Sequence, residues 1–337
     1  MTTSTAHDTR DFRTGVAHFF SVWNLAILLL LLLVTFSVLK SDTFLTAFTF
    51  QSIINSRSIN AMVALAVMIP LASNNYDLSV ASVLGMAQVL ANGLQTQQGL
   101  SWPVAFALCI LLGATIGVIN GFLVTRARIN SFIATLGTGT LLLGLNQWYT
   151  GGMQIVGPLP PDFIALSGKI LHTGVPVPLL YLLIIALVLW IVFDYLPLGR
   201  YLYVIGDSPR AAELTGISAA TYVTLAFVAS GMIAAFAGVI LQAQLKVGQS
   251  TVGQELMLPS FTGALLGAIA VRPGRPNVWG TVLAVAVLAV AVAGLTQLGA
   301  PFFVENLFNG AMLVLAVGLA GYTQRRRQRR NAAAAVR

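Results

Sequence analysis

The chain has 337 residues, of which 57% are hydrophobic and 8% charged, with a formal net charge of +8 and a mean hydropathy of +0.85. Because that is more apolar surface than a soluble core can bury, the composition excludes a soluble globular protein and predicts an all-α, polytopic membrane protein. The single cysteine, Cys109, lies in an apolar run, which leaves neither a disulfide framework nor a cysteine metal site. We expect no metal and no cofactor.

Apolar runs of about the 20 residues needed to cross a bilayer predict ten transmembrane helices. The first run lacks a small-residue cleavage site, so we interpret it as a retained anchor. The second begins with a polar stretch and the eighth is short, so tilted, broken and partly re-entrant forms stay open for both. The predicted spans are residues 19–39, 52–74, 79–97, 102–125, 131–150, 176–195, 219–242, 257–271, 277–298 and 304–322.

Basic residues orient these spans, because cytoplasmic loops carry the excess of lysine and arginine. With ten crossings and a cytoplasmic N-terminus, fourteen of the eighteen basic residues fall on the inner side. The outer side keeps Lys40, Arg57, Lys169 and Lys246. An odd number of spans would leave the arginine-rich C-terminus outside, so the ten-span count and two cytoplasmic termini support each other.

This topology divides the chain into three parts. We predict a cytoplasmic tail over residues 1–18, a transmembrane domain over 19–322 and a basic cytoplasmic tail over 323–337. The arginine cluster 325–330 directly follows a span and has no folded basic domain beside it. We therefore interpret it as a topology anchor that contacts lipid headgroups, and we expect no nucleic acid as a partner.

A polar break, Asn74 to Ser79, separates the second and third predicted spans. One interpretation is a helix cap, since Asp77 or Ser79 can accept hydrogen bonds from the free amides that open the third span. The other is a hinge or a lining of a translocation path, since irregular backbone at membrane depth must be buried in protein or face water. Both interpretations stay open.

Uncharged amides also occur inside the predicted spans. Such side chains both donate and accept hydrogen bonds, which suits a neutral hydroxylated solute, although they serve equally to join neighbouring helices. With the residues of the break, the candidate substrate pathway comprises Asn74, Asn75, Tyr76, Asp77, Ser79, Gln88, Asn92, Asn120, Asn146 and Gln147.

A polar loop, residues 196–218, lies between the sixth and seventh predicted spans on the inner side. Within it Ser208 can cap a short helix, Pro209 suits the first helical position, and Gly216 suits a left-handed end. A loop that only joined two spans would not need such a helix. We therefore expect a partner outside the membrane to contact it.

Several enzyme classes lack their chemistry in this sequence. His7, His18 and His172 lie outside the apolar runs or at their edges, so an intramembrane serine hydrolase has no base. Asp77 and Asp207 superficially offer an aspartyl protease pair, but Asp207 lies in the polar loop. A phosphate-cradling nucleotide loop is also missing. We predict that the chain has no catalytic residues and that any ATP hydrolysis that drives it takes place on another chain.

Five stretches between residues 50 and 322 follow one order, and they are Asp77–Ser82, Gly117–Gly121, Phe132–Gly137, Gly199–Tyr203 and Ala211–Ile217. Together they resemble the permease subunits of bacterial ABC importers of the ribose and simple-sugar type. The resemblance implies a multi-pass inner-membrane subunit that forms the path for a monosaccharide or related polyol by alternating access.

The same resemblance implies the partners. They are cytoplasmic ATPase subunits, a periplasmic or extracellular solute-binding protein, a second permease in a homodimer or heterodimer, and membrane lipid. In such permeases the loop between the sixth and seventh spans supplies the coupling helix that contacts the ATPase. In this chain the coupling residues implied are Gly206, Asp207, Ser208, Pro209, Arg210, Ala211, Ala212, Glu213, Leu214, Thr215 and Gly216.

The chain also departs from the family pattern. Asn74, Asn75 and Tyr76 replace a glycine pair and an isoleucine found in many relatives, which leaves the sugar undefined. An arginine- and proline-containing loop, residues 272–276, replaces a mostly glycine-rich turn. This loop either stiffens an inner connection or adds a charged contact to the ATPase.

Two other classes of function stay open at this point. An ion-gradient-driven secondary carrier would need an intramembrane ionisable site, for which Asp77 is the candidate. A lipid-modifying enzyme would need paired acid and base groups. Within the importer class, the alternative cargo is a branched-chain amino acid or a nucleoside.

Overall fold

The computed structural model describes residues 5–170 and 174–318, with side chains from residue 22 onward. His172 and the arginine cluster 325–330 lie outside these residues. The described helices are α1 (Thr5–Leu39), α2 (Ser41–Phe44), α3 (Ala47–Leu71), α4 (Val80–Thr96), α5 (Trp102–Thr125), α6 (Ser131–Thr150), α7 (Pro161–Ala165), α8 (Val177–Asp194), α9 (Pro197–Asp207), α10 (Pro209–Leu214), α11 (Ala219–Leu245), α12 (Val252–Gly267), α13 (Val278–Gln297) and α14 (Phe303–Gly318). Two short strands, β1 (Ile155–Val156) and β2 (Val247–Gly248), pair antiparallel.

Six helices in the described part of the chain are long and apolar enough to cross a membrane, namely α3, α5, α8, α11, α13 and the Val22–Leu39 part of α1. The other four predicted spans overlap α4, α6, α12 and α14, which are shorter or less apolar, and α12 begins five residues before the predicted span. Of the two uncertain spans, α3 includes the polar stretch at its start, and α12 has only 16 residues. The protein is thus mostly helical, and ten crossings stay a prediction.

Helix α3 lies inside the bundle, where it packs mainly against α8, α11, α12 and α13. Of the most apolar 18-residue stretch of each helix, 67% is buried inside the protein in α3 but only 11% in α1. Glycines allow close packing elsewhere: a Cβ added to Gly117 of α5 would lie 2.5 Å from the Phe227 carbonyl oxygen of α11. The glycines at 113, 117 and 121 lie on one face of α5, and each directly faces α11.

The bundle has two distinct ends. At the first, the α9 end, α9 and α10 lie beside the break between α3 and α4 and beside the loop 272–276. At the opposite end, the ribbon end, β1 and β2 form a two-stranded ribbon next to α4. These two ends contain most of the predicted functional residues.

The predicted loop 196–218 contains two helices where we expected one. The expected helix is α10, while α9 precedes it and is amphipathic. Pro197 occupies its first turn, and Leu202 and Ile205, three residues apart, are buried on one face while Arg200 is exposed. Residues 206 and 207, assigned above to the coupling helix, therefore form the end of α9.

Candidate functional site

Helix α3 ends at Leu71, directly after Pro70, and the α3–α4 break follows it over residues 72–79. The Pro70 carbonyl accepts hydrogen bonds from Ser73 N at 3.0 Å and from Asn75 N at 3.1 Å. Asn74 has a φ of 58°, a region that asparagine adopts more readily than most side chains. The chain then turns back into the protein at Tyr76, whose ring stacks on the ring of Phe261.

Asp77 places its carboxylate inside the protein, where only 2% of the residue is exposed. Its Oδ1 accepts hydrogen bonds from Ser79 N at 3.1 Å and Ser79 Oγ at 2.6 Å, and its Oδ2 accepts one from Ser230 Oγ at 3.1 Å. These donors replace the hydration that a buried carboxylate loses. Since Ser230 belongs to α11, the carboxylate joins the start of α4 to α11.

The network continues into α5 and α6. Asn120 Nδ2 donates to Ser79 Oγ at 2.8 Å, and Thr138 Oγ1 donates to Asn120 Oδ1 at 2.8 Å. We call Asp77, Ser79, Asn120, Thr138 and Ser230 the Asp77 network. All five residues are buried, so this network joins four helices and is closed to solvent in this conformation. Ser79 directly precedes α4 and its side chain makes no cap hydrogen bond, so the bond from Ser79 N to Asp77 leaves both interpretations of the break open.

Helix α6 also holds the backbone of the break. Ser131 Oγ accepts from Tyr76 N at 3.1 Å, and Thr135 Oγ1 accepts from Leu78 N at 3.0 Å. Sequence reasoning missed Ser131 and Thr135, together with Thr138 and Ser230. The signal available was the spacing of three hydroxyls at positions 131, 135 and 138, which places them on one face of a helix.

At the ribbon end, two amides of α4 hold the strands. Gln88 donates through Nε2 to Val247 O at 2.5 Å and accepts through Oε1 from Gln249 N at 3.0 Å. One turn later, Asn92 Nδ2 donates to Ile155 O at 2.8 Å. Both side-chain amides therefore bond backbone groups that an additional strand would otherwise pair. We call Gln88, Asn92 and their bonds to the ribbon the amide clasp. Gln242 of α11, which the sequence reasoning missed, accepts from Gln88 Nε2.

The remaining pathway candidates lie apart from these groups. Asn146 is buried and donates through Nδ2 to Ser250 O at 3.2 Å, just after the ribbon. Gln147 and Asn74 are exposed, and Asn75 is half-buried, with its Nδ2 bonded to Ser73 O. The ten predicted residues thus form no single site in this conformation: one set surrounds the break, another holds the ribbon, and Gln147 lies on the surface.

The predicted short helix of the polar loop is present. Ser208 Oγ accepts from Ala211 N, Pro209 begins α10, and Gly216 has a φ of +82°. Ala212 is buried in a small apolar cluster with residues of α9 and α11, whereas Leu214 is 83% exposed. One face of α10 is therefore fixed to the bundle and the rest is open to a partner.

The loop 272–276 contacts the protein's own α8 and α9. Arg272 Nη2 donates to Asp194 Oδ2 at 2.9 Å, and Arg275 Nη2 lies 3.6 Å from Asp207 Oδ2. The Arg275 guanidinium also lies over the ring of Tyr203, 5.4 Å from its centroid. Of the two roles left open for this loop, these contacts favour stiffening of an internal connection.

A mostly helical chain with several apolar helices, a buried polar break and an exposed short helix at one end has the features of a polytopic transport protein. Comparison with known proteins identifies the class. Residues 49–317 match the family described as branched-chain amino acid transport system / permease component. The chain belongs to this family, which confirms the predicted permease membership, and it is a membrane transport subunit rather than an enzyme.

Three curated relatives match between 76% and 90% of the chain. It is 29% identical to the ribose import permease protein RbsC of Bacillus subtilis (strain 168), over 86% of this chain and 89% of the relative. It is 28% identical to RbsC of Escherichia coli (strain K12), over 90% and 96%. It is 30% identical to the autoinducer 2 import system permease protein LsrD of Escherichia coli (strain SMS-3-5 / SECEC), over 76% and 78%. No solved structure matches the chain.

Proposed function

We propose that this protein is the inner-membrane permease subunit of an ATP-driven importer for a monosaccharide or related polyol. The observation that carries the proposal is the family match over residues 49–317 together with relatives named for the import of ribose and autoinducer 2. The neutral hydroxyls and amides of the Asp77 network and the amide clasp fit an uncharged, hydroxylated solute.

ATP hydrolysis takes place on separate cytoplasmic ATPase subunits, which contact α10 within the assigned coupling residues 206–216. The exposed surface of α10 supports this role, because its buried Ala212 fixes the helix to α9 and α11 while Glu213 and Leu214 face outward. A short helix that is anchored on one side transmits a rigid-body movement better than a flexible loop does. A solute-binding protein delivers the solute at the ribbon end, and a second permease, identical or related, completes the path within the lipid bilayer.

The proposed topology has ten crossings and cytoplasmic termini, with the divisions at residues 18, 196, 218 and 322 given above. The distribution of basic residues between the two ends supports it. Six arginines lie in the described connections at the α9 end, and they are Arg126, Arg128, Arg200, Arg210, Arg272 and Arg275. The α9 end is accordingly cytoplasmic.

The path itself is proposed to run along the break and the amide-bearing helices. Opening towards the cytoplasm then disturbs the Asp77 network, and opening towards the outside disturbs the amide clasp. This assignment keeps Asn74, Asn75, Tyr76, Asp77, Ser79, Gln88, Asn92, Asn120, Asn146 and Gln147 as pathway or gating residues.

Reconstitution tests the function directly. The permease would be placed in liposomes with its ATPase subunits and binding protein, and uptake of labelled ribose and labelled leucine would be measured with and without ATP. We expect ribose or a related sugar to accumulate only with ATP. Accumulation of leucine alone would identify an amino-acid importer, and uptake by the isolated chain under an ion gradient would identify a secondary carrier.

The coupling role has its own comparison. Glu213→Ala, on the exposed face of α10, is expected to lower uptake and solute-stimulated ATP hydrolysis together. Thr115→Ala, at an exposed position in the middle of α5 and so away from both ends, is the control and should leave both rates unchanged. Equal rates for the two variants would overturn the assignment of α10 as the coupling helix.

A further inference from the structure

Helix α9 contacts three separate parts of the bundle. Gly206 lies against the backbone of Ala72 and Ser73 in the α3–α4 break. Tyr203 Oη donates to the carbonyl oxygen of Pro276 at 2.6 Å, and the ring of Tyr201 packs edge-on against Tyr222 of α11, with centroids 5.0 Å apart. A helix that only connected α8 to α10 would not need these contacts.

The contact at Gly206 is set by backbone atoms. A Cβ added there would lie 2.6 Å from the Ala72 carbonyl oxygen and 3.2 Å from Ser73 Cα, both on the backbone. No rotamer change relieves such a clash, so a side chain at position 206 forces α9 away from the break. The glycine therefore fixes the distance between the two segments.

The contacts with the loop 272–276 differ in strength. Arg275 and Asp207 are about half exposed, at 47% and 57% of their side chains, so their 3.6 Å pair contributes little to stability. The Tyr203 bond to Pro276 is shielded, since the phenol lies between Phe193 and the Arg275 guanidinium. Tyr203 therefore determines the attachment to this loop, and the ion pair adds orientation.

The two helices that flank α10, namely α9 and α11, both connect it to the Asp77 network. On one side, α9 presses through Gly206 on Ala72, five residues before Asp77 in the break. On the other side, α11 carries Ser230, which donates to the Asp77 carboxylate. Ala212 joins the two routes, because it is buried against Ile205 of α9 and against Val223 and Phe227 of α11.

We propose that α9 is the element that transmits movement of α10 to the buried Asp77 network, through the Gly206 contact with the break and the Tyr203 attachment to the loop 272–276. Gly206 and Tyr203 are thus positioning residues for transport, although neither lies at the exposed surface of α10. This inference rests on the proposed function, since it assumes that an ATPase moves α10.

The test compares glycine and tyrosine variants in the reconstituted ATPase–permease complex with its binding protein. Gly206→Ala is paired with Gly144→Ala, a glycine of α6 around which a Cβ would meet no atom within 4 Å. Tyr203→Phe, which removes only the hydroxyl, is paired with Tyr195→Phe, an exposed tyrosine after α8. The readouts are membrane level, assembly with the ATPase subunits, and solute transported per ATP hydrolysed.

We expect Gly206→Ala and Tyr203→Phe to lower the ratio of transported solute to hydrolysed ATP by about fivefold or more, the lower range of allosteric coupling. Assembly with the ATPase should be unchanged, and both control variants should match the wild type. A purely structural role would instead lower membrane level and leave the ratio intact, and that result overturns the proposal. A wild-type complex that transports nothing with ATP would overturn the proposed function itself.

A charge exchange gives a second, independent readout. Asp207→Arg alone places like charges opposite Arg275, and the double variant Asp207→Arg with Arg275→Asp restores an opposite pair. We expect the single variant to lower the transport ratio and the double variant to recover it. Because the pair is about half exposed, the effect should be smaller than that of Gly206→Ala and should weaken at high salt. Failure of the double variant to recover the ratio would remove the pair from the proposed route.

Discussion

Ser230 Oγ donates a hydrogen bond to Asp77 Oδ2 at 3.1 Å, although the two residues are 153 positions apart in the chain. This bond ties the irregular segment after α3 to the long helix that follows α10. The described donors to this carboxylate are the hydroxyls of Ser79 and Ser230 and the backbone N–H of Ser79. The described ion pairs all lie elsewhere, so the stability of this region depends on hydrogen bonding rather than on a counter-charge.

Removal of the Asp77 carboxylate should destabilise the protein. Asp77→Ala removes the acceptor of the buried hydroxyls of Ser79 and Ser230. Each buried polar group that loses its partner lowers the free energy of unfolding by about 1–3 kcal/mol. The midpoint of thermal unfolding in detergent should fall clearly. Asp162→Ala, on the exposed surface of α7, is the control and should leave it within error. A midpoint equal to that of the control would contradict the structural role of the network.

Close packing of α5 on α11 predicts opposite results for two glycines. A Cβ at Gly117 would lie 2.5 Å from backbone atoms of Phe227 and Val228, so Gly117→Ala should separate the helices and cost about 1–3 kcal/mol, as overpacking usually does. Gly144→Ala meets open space and should be neutral or stabilising by up to about 1 kcal/mol. Thermal unfolding of the purified variants gives both values, and a Gly117→Ala protein as stable as wild type would refute the packing argument.

The amide clasp predicts local protection at the ribbon. Gln88→Leu removes the acceptor of Gln249 N and the donor to Val247 O, so hydrogen exchange of the peptide that contains residues 247–249 should accelerate. Gln147→Leu alters an exposed amide at the same end and serves as the control. Mass spectrometry of exchanged peptic fragments measures the effect. If the ribbon stays equally protected in both variants, Gln88 does not hold it.

Tyr203 predicts a stability change at high pH. Burial raises the pKa of Tyr203 to about 12, above its ordinary value of about 10. The folded state thus favours the protonated phenol, so its contribution is complete below pH 10 and is lost as pH rises towards 12. Unfolding midpoints of the wild type should fall more steeply between these values than those of Tyr203→Phe. Parallel curves would show that the phenol titrates normally in the folded protein.

Local sequence signals predicted α10 well, because its start and end depend on neighbouring residues. Ser208, Pro209 and Gly216 have the capping, first-turn and left-handed conformations expected of them. Helix α9 was missed because the segment was classed by its polarity. Its apolar face is short, with Leu202 and Ile205 on one side only, and their burial depends on tertiary contacts.

The candidate site was predicted less completely than the fold. The sequence drew attention to Asp77, Ser79 and Asn120, which do meet, since polar residues in apolar runs are unusual. It did not indicate that Gln88 and Asn92 hold a ribbon, because the strands that form it are separated by about ninety residues and have two residues each. Partners of this kind are set by topology, and local pattern does not encode them.

The glycine-lined seam between α5 and α11 limits how this subunit can rearrange. At positions 113 and 117 the glycines face the backbone of α11, and at position 121 the glycine faces the side chain and Cα of Thr224, so sliding one helix along the other would make these atoms collide. We therefore expect the two helices to move together as a rigid body when the subunit rearranges. We expect hinges and openings at helix contacts made by longer side chains, because these side chains can change rotamer and let the helices separate.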